Sequence, residues 1–191
     1  MRKPHQIPGS EPILQSIYQG RIFLAQNIPR PKGNYRCLLM EPFLQYEPIY
    51  NDFGPENISS ICRFVTALHK TIDAEKEAKM MCLVDKGRNK LTNSILLLGA
   101  YMVLKLKLTA EVVWESFFSN PSELHVESYH DASAEDSENI IGIIHCWQAL
   151  QRATLFRWFQ YPTLQDGLWG RLNLSEHEHY ESALNGNFSQ V

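Results

Sequence analysis

The sequence predicts an α/β domain: one small mixed β-sheet flanked by α-helices. Three features carry that prediction. Short apolar, β-prone runs cluster in the first forty residues. From Glu56 the apolar period changes to three- and four-residue steps, the spacing of one helical stripe. Between Met80 and Lys107 an apolar run of strand length, a polar glycine-containing break and a long apolar stretch then follow one another. Early strands followed by helix, strand and three helices give a sheet with helices packed against it.

Residues 1–12 hold three prolines and a glycine and are an irregular lead-in. Ile13 to Tyr18, Gly20 to Ala25 and Tyr35 to Met40 are extended segments, punctuated by Pro29, Pro31 and Gly33. Glu41 to Pro55 is loop, with a short extended piece near Leu44 to Tyr46. Ile58, Ile61, Cys62, Val65, Leu68 and Ile72 then mark the first helix. Its opposite face carries Arg63, His69, Lys70 and Asp73.

Met80-Met81-Cys82-Leu83-Val84 is a buried strand, and Asp85 to Lys90 is the polar break. The stretch from Ser94 to Leu104 is apolar around nearly its whole helical circumference, which marks a buried helix. It is too short for a membrane span and is bracketed by Lys90, Lys105 and Lys107. Thr109 caps the next helix, which Asn120-Pro121 ends. Residues 122–138 are polar and irregular. A stripe of Ile140, Ile143, Ile144, Trp147 and Leu150 makes another helix through about Thr154. Phe156 to Gly170 is an aromatic, proline-broken connection. Ser175-Glu176-His177-Glu178 forms a capping box for a last helix ending near Leu184, with Asn185-Gly186 as its left-handed cap.

A net charge of −3 gives no basic field for nucleic acid or an anionic membrane, so neither is expected as a partner. Hydrophobic content of 44 % with 20 % charged residues describes a globular chain of one domain. The N-terminus lacks the apolar run of a secretory signal. Cys37, Cys62, Cys82 and Cys146 are widely spaced without a CxxC pair, the pattern of reduced, buried thiols in cytosol or nucleus.

Five stretches together resemble the N-terminal half of the cell division cycle fourteen-type dual-specificity protein phosphatases. They are Tyr50-Asn51-Asp52-Phe53-Gly54-Pro55, Leu98-Gly99-Ala100-Tyr101, Lys107-Leu108-Thr109-Ala110-Glu111, His130-Asp131-Ala132-Ser133, and Glu178-His179-Tyr180-Glu181 followed by Asn185-Gly186. The likeness covers roughly Gly20 to Asn187. It implies a dual-specificity-phosphatase-like domain at 20–174, a lead-in at 1–19 and an acidic linker helix at 175–191. It also implies that this half is non-catalytic, with the signature HCxxGxxR on a C-terminal domain outside this sequence. The expected partners are that catalytic domain and phosphoprotein substrates with basic residues near the phosphosite. No cofactor is implied, and the implied location is cytoplasmic or nuclear, including cytoskeleton or centrosome.

A strand, a polar loop and a helix N-terminus can bind phosphate, because the first backbone N–H groups point at the anion. A cysteine phosphatase adds a low-pKa thiolate and an arginine clamp. Cys82 has no histidine before it, and in the frame CLVDKGR the glycine stands one place too late for Arg88 to complete the signature. Counting back from Gly99-Ala100-Tyr101, the resemblance places the arginine near Asn93 and the thiolate near Gly87, and neither can do that chemistry. Asp85 repels an incoming phosphate. The loop is therefore expected to be non-catalytic, with weak anion binding by Arg88 and Lys90 as the alternative.

Glu178 and Glu181, three apart on a helix, share a face and concentrate negative charge. By resemblance they line an acidic groove that recognises a basic residue beside the phosphosite. The plainer alternative is a capping-box member and an exposed carboxylate, and Asn187 stands where the family tends to have an acid. His177 and His179, two apart, make a poor metal pair. His125, His130, Asp131 and Ser133 do not by spacing alone make a triad. The resulting expectation is a substrate-recognition and scaffold domain serving dephosphorylation of phosphoserine or phosphotyrosine. The alternative is a free-standing pseudophosphatase that acts as a binding or structural module.

Overall fold

Strands β1 (Ile13–Tyr18), β2 (Ile22–Gln26), β3 (Tyr35–Leu39) and β4 (Lys79–Val84) form a sheet in the order β1-β2-β4-β3. The computed structural model describes residues 12–29, 33–119, 124–132 and 140–158. β1 and β2 are antiparallel, joined at Gln19 and Gly20, both with positive φ, and closed by the Arg21 N–H donating to the Tyr18 carbonyl at 2.8 Å. Positive φ at both central positions is the hairpin turn that matches strand twist. β4 lies between β2 and β3 and is parallel to both. The sheet is therefore mixed, as the sequence predicts. Its first strand, Ile13–Tyr18, lies inside the stretch 1–19 set apart as an irregular lead-in; pairing with β2 makes that strand part of the domain.

Helix α1 (Ile58–Ala74) follows a loop holding a 3-10 turn at Glu41–Phe43. Asn57 caps α1, its side chain accepting from the Ser60 N–H at 2.8 Å. α2 (Arg88–Leu104) leaves β4 after a three-residue loop, and every residue from Leu91 to Leu104 is buried. The all-round apolar surface read from the sequence thus does become the centre of the core. A fully buried leucine there contributes about 1.5–3 kcal/mol relative to an exposed one. Thr109 caps α3 (Ala110–Phe118) by accepting from the Val112 N–H. In α4 (Ile143–Leu155), Trp147 is fully buried; its ring stacks on Phe117 and its indole N–H donates to the Leu96 carbonyl at 3.0 Å. Gly99 is what lets α2 approach the Trp147 ring.

The core that α1 to α4 share takes Ile22, Leu24, Met80, Cys82 and Val84 from one face of the sheet. Four sequence expectations shift. The central helix starts at Arg88, six residues before Ser94, so the polar break shortens to Asp85–Gly87. The extended piece near Leu44 to Tyr46, extended at Leu44, joins no sheet, because the Gln45 and Tyr46 N–H groups donate to a side chain, Glu56, and that of Leu44 to the Glu41 carbonyl. Ile140 precedes α4 and is exposed. Cys37, on edge strand β3, is exposed, unlike buried Cys62 and Cys82. Phe156 and Trp158 stack on one another at 5.1 Å and face solvent. The rest of the aromatic connection and the 175–184 helix lie outside the described residues.

Candidate functional site

In sheets of this kind ligands gather at the carboxyl ends of the parallel strands. Gln26, Leu39 and Val84 end β2, β3 and β4 there, and the Asp85–Gly87 loop and the α2 N-terminus face that edge. The backbone at Gly87 has φ +130, a region open to glycine, and no neighbour crowds the space a Cβ would take. Backbone conformation therefore fixes glycine at this position.

Three of the groups that would meet an anion, the Asp85 N–H and the Arg88 and Lys90 side chains, are already engaged. The Asp85 N–H donates to Glu41 Oε1 at 2.7 Å, so a carboxylate of the chain itself takes the first loop donor. Buried Gln26 donates through Nε2 to the carbonyls of Asp85 at 2.6 Å and Gly87 at 3.2 Å, which ties the loop down from beneath. Lys90 pairs with Asp85 at 3.3 Å and Arg88 with Glu127 at 3.0 Å. Such exposed pairs are worth about 0–1 kcal/mol each. The net effect is a loop whose first donor is taken by Glu41 and whose Arg88 and Lys90 are matched by Glu127 and Asp85, with no acid in the first turn of α2.

Cys82 sits on the core face of β4 at 0 % exposure, and burial pushes its thiol up to about 12. It remains protonated near neutrality, and a nucleophile must be a thiolate. At Gly87, where the resemblance places the thiolate, there is no side chain.

Asn93, at the position expected for the arginine, has a structural task instead. Its Nδ2 donates to the Gly54 carbonyl and to Glu56 Oε1, both at 3.2 Å, and its Oδ1 accepts from the Tyr129 hydroxyl at 3.0 Å. Glu56 also accepts from the backbone N–H groups of Gln45 at 2.9 Å and Tyr46 at 3.3 Å. Desolvation raises the Glu56 carboxyl above its ordinary range, against the pull of these donors and of Arg63. Next to Asn93, Thr92 Oγ1 accepts from the Glu127 N–H at 2.9 Å. This buried polar cluster joins the 45–57 loop, α2 and the 124–130 segment, and sequence reasoning missed it. The signal was available: Thr92-Asn93-Ser94 are three successive polar residues inside a helix apolar on all sides.

His130 serves through its backbone, exchanging hydrogen bonds with Phe53 at 2.8 and 3.0 Å. Ser133 lies outside the described residues, as do Glu178, Glu181, His177 and His179. Among the described residues no group of three His, Cys, Asp or Glu side chains is arranged as metal ligands. A cavity of about 90 Å³ lies at the other end of the sheet, lined by Tyr18, Arg21, Ile72, Met80, Tyr101 and Leu106. It is small beside the ~300–1,000 Å³ of ordinary ligand sites.

A family profile described as dual specificity protein phosphatase, N-terminal half, matches residues 16–153. The chain belongs to this family. Among curated relatives of this phosphatase N-terminal half, human dual specificity protein phosphatase CDC14A is 27 % identical over 175 residues, covering 90 % of this chain and 28 % of the relative. Mouse CDC14B is 27 % identical over 176 residues, or 90 % of this chain and 34 % of the relative. CDC14C of Symphalangus syndactylus is 25 % identical over 190 residues, or 98 % of this chain and 37 % of the relative. The chain thus spans about a third of the length of these relatives and corresponds to their N-terminal half-type domain. The matched region takes in the β4–α2 loop and the Asn93 cluster.

Proposed function

We infer that this chain is a non-catalytic, phosphatase-like unit that scaffolds a catalytic domain of the same family and helps it recognise phosphoprotein substrates. The reaction served is hydrolysis of phosphoserine or phosphotyrosine by a cysteine on that second domain. One observation carries the reading. The loop that a cysteine phosphatase uses for phosphate is here closed by its own carboxylates, with glycine and a hydrogen-bonded asparagine at the two chemically demanding positions. The acidic pair Glu178 and Glu181 is assigned to substrate recognition, facing basic residues near the phosphosite; this rests on their spacing and the family resemblance.

Two measurements test the proposal. With a chromogenic aryl phosphate the chain gives no turnover above background, and Cys82→Ser changes nothing; turnover abolished by that substitution refutes the non-catalytic reading. In a protein carrying this chain and a catalytic half, Glu178→Lys with Glu181→Lys weakens binding of basic phosphopeptides while turnover of the aryl phosphate persists. Unchanged peptide binding removes the acidic pair from recognition.

A further inference from the structure

The sheet ends in two unlike edges. β1, on one side, carries a bulge between Ser16 and Tyr18, and its Gln15 donates to the Phe117 carbonyl of α3 at 2.8 Å. A bulge keeps a strand edge from pairing further. β3, on the other side, runs in unbroken register with β4 and has no proline or lysine. Its one charge, Arg36, is paired with Glu75. An unguarded apolar edge of this kind is a template for another strand.

The ladder shows which backbone groups that edge offers. At one end the Lys79 N–H donates to the Asn34 carbonyl at 3.1 Å, and at the other the Met40 N–H donates to the Leu83 carbonyl at 3.0 Å. Every second residue of a strand turns its N–H and C=O to the same side, so Arg36 and Leu38, between Asn34 and Met40, also face β4. Cys37 and Leu39 turn theirs outward. Neither N–H has a backbone partner among the described residues.

The side chains beside the edge divide in two. Tyr35, Cys37 and Leu39 lie on the face of the sheet away from the core, next to Lys79, Met81 and Leu83 of β4. Over Met81 that face is closed: the Phe23 and Tyr35 rings meet edge to face at 6.2 Å, with Lys79 Nζ 5.7 and 5.9 Å from their centroids. Further along, Leu83 is half-buried and Leu39 is 47 % exposed, which leaves an apolar step open at the rim. Lys79 itself is exposed and has ring contacts but no carboxylate partner among the described residues.

Two outward N–H groups and one apolar step make a strip a single strand wide, far short of the ~1,200 Å² that a stable dimer interface buries. We propose that the free edge of β3 takes an extended segment of a partner protein as a fifth strand, apolar beside Leu39 and Cys37 and acidic where it passes Tyr35 and Lys79. Main-chain bonds to Cys37 and Leu39 supply the affinity, and alternate side chains of the segment read the row. This goes beyond the scaffold reading and does not depend on Glu178 or Glu181.

Two acetylated, amidated peptides serve as probes of the unaltered 191-residue chain. Val-Thr-Val-Thr-Glu meets the row antiparallel to β3, and its reverse, Glu-Thr-Val-Thr-Val, meets it parallel. In amide NMR spectra one of them shifts Cys37 and Leu39 most, saturating at millimolar concentration, and leaves β1 unshifted. No shift with either, or largest shifts elsewhere, overturns the proposal. N-methylation of a peptide amide that faces β3 abolishes binding, and N-methylation of its neighbour, facing away, does not; equal effects at both overturn strand addition. Glu→Gln in the peptide weakens binding about two- to fivefold, the size of an exposed ion pair, and has no effect with the Lys79→Gln chain. An equal loss there overturns the acidic assignment. Shifts at Cys37 and Leu39 that grow with the chain's own concentration, without peptide, assign the edge to a second copy and overturn the proposal.

Discussion

Gly99→Ala isolates how tightly the central helix is packed. A Cβ built at Gly99 falls on the Trp147 indole, at Cε2, Cζ2 and Nε1, well inside contact distance. In a solvated helix the same change stabilises by roughly 1 kcal/mol, because alanine is the better helix former. Here the fully buried ring must move, and forcing an extra methyl into a filled core costs about 1–3 kcal/mol. Displacement also breaks the indole N–H bond to the Leu96 carbonyl, and a buried donor left unsatisfied costs about 1–3 kcal/mol more. The balance is a destabilisation of about 2–4 kcal/mol, or a fall in melting temperature of roughly 5–15 °C for a chain of this size. Urea unfolding followed by circular dichroism measures it, as a lower midpoint with unchanged slope. Trp147→Phe removes the ring atoms that clash, so the double variant is less destabilised than the sum of the singles. An unchanged or raised midpoint for Gly99→Ala, or strict additivity in the cycle, refutes the packing argument.

Three further outcomes follow from the cluster, the thiols and the caps. Glu56 has a carboxyl raised by desolvation above its reference of 4.5, so the folded state favours its neutral form and loses stability from this group as pH rises from 4.5 through the folded value. Glu56→Gln removes that slope and, because one of the two accepting oxygens becomes an NH2 facing either the Gln45 N–H or the Tyr46 N–H, lowers overall stability by about 1–3 kcal/mol; urea midpoints at pH 5 and pH 7 measure both. Cys37 reacts with a disulfide reagent at pH 8 within the native chain, whereas Cys62 and Cys82, both raised to about 12 by burial, react only on unfolding, as labelling followed by peptide mapping shows. Asn57→Ala removes the α1 cap and lowers stability by about 1 kcal/mol, seen as a midpoint shift without loss of the native circular dichroism spectrum.

What the sequence by itself determined are the properties set by neighbours along the chain. The period from Ile58 made α1, Thr109 made the α3 cap, and apolarity on all sides of Ser94 to Leu104 put α2 inside. The failure of Cys82 to sit in the phosphatase signature was equally plain, because a signature is local. Tertiary structure alone decided the rest, since those features join residues distant in sequence. Arg88 to Asn93 look like loop by composition, but Arg88 is held by Glu127 and Asn93 by Gly54, Glu56 and Tyr129, so the helix runs through them. Glu41 reads as an ordinary loop acid until β3 brings it to the Asp85 N–H. Met80 and Met81 are equally apolar and alternate by strand geometry alone, and only the packed structure decides that Met80 is the one under the helices. Local pattern states what a residue prefers, and which distant donor, acceptor or surface meets that preference is settled when the strands pair.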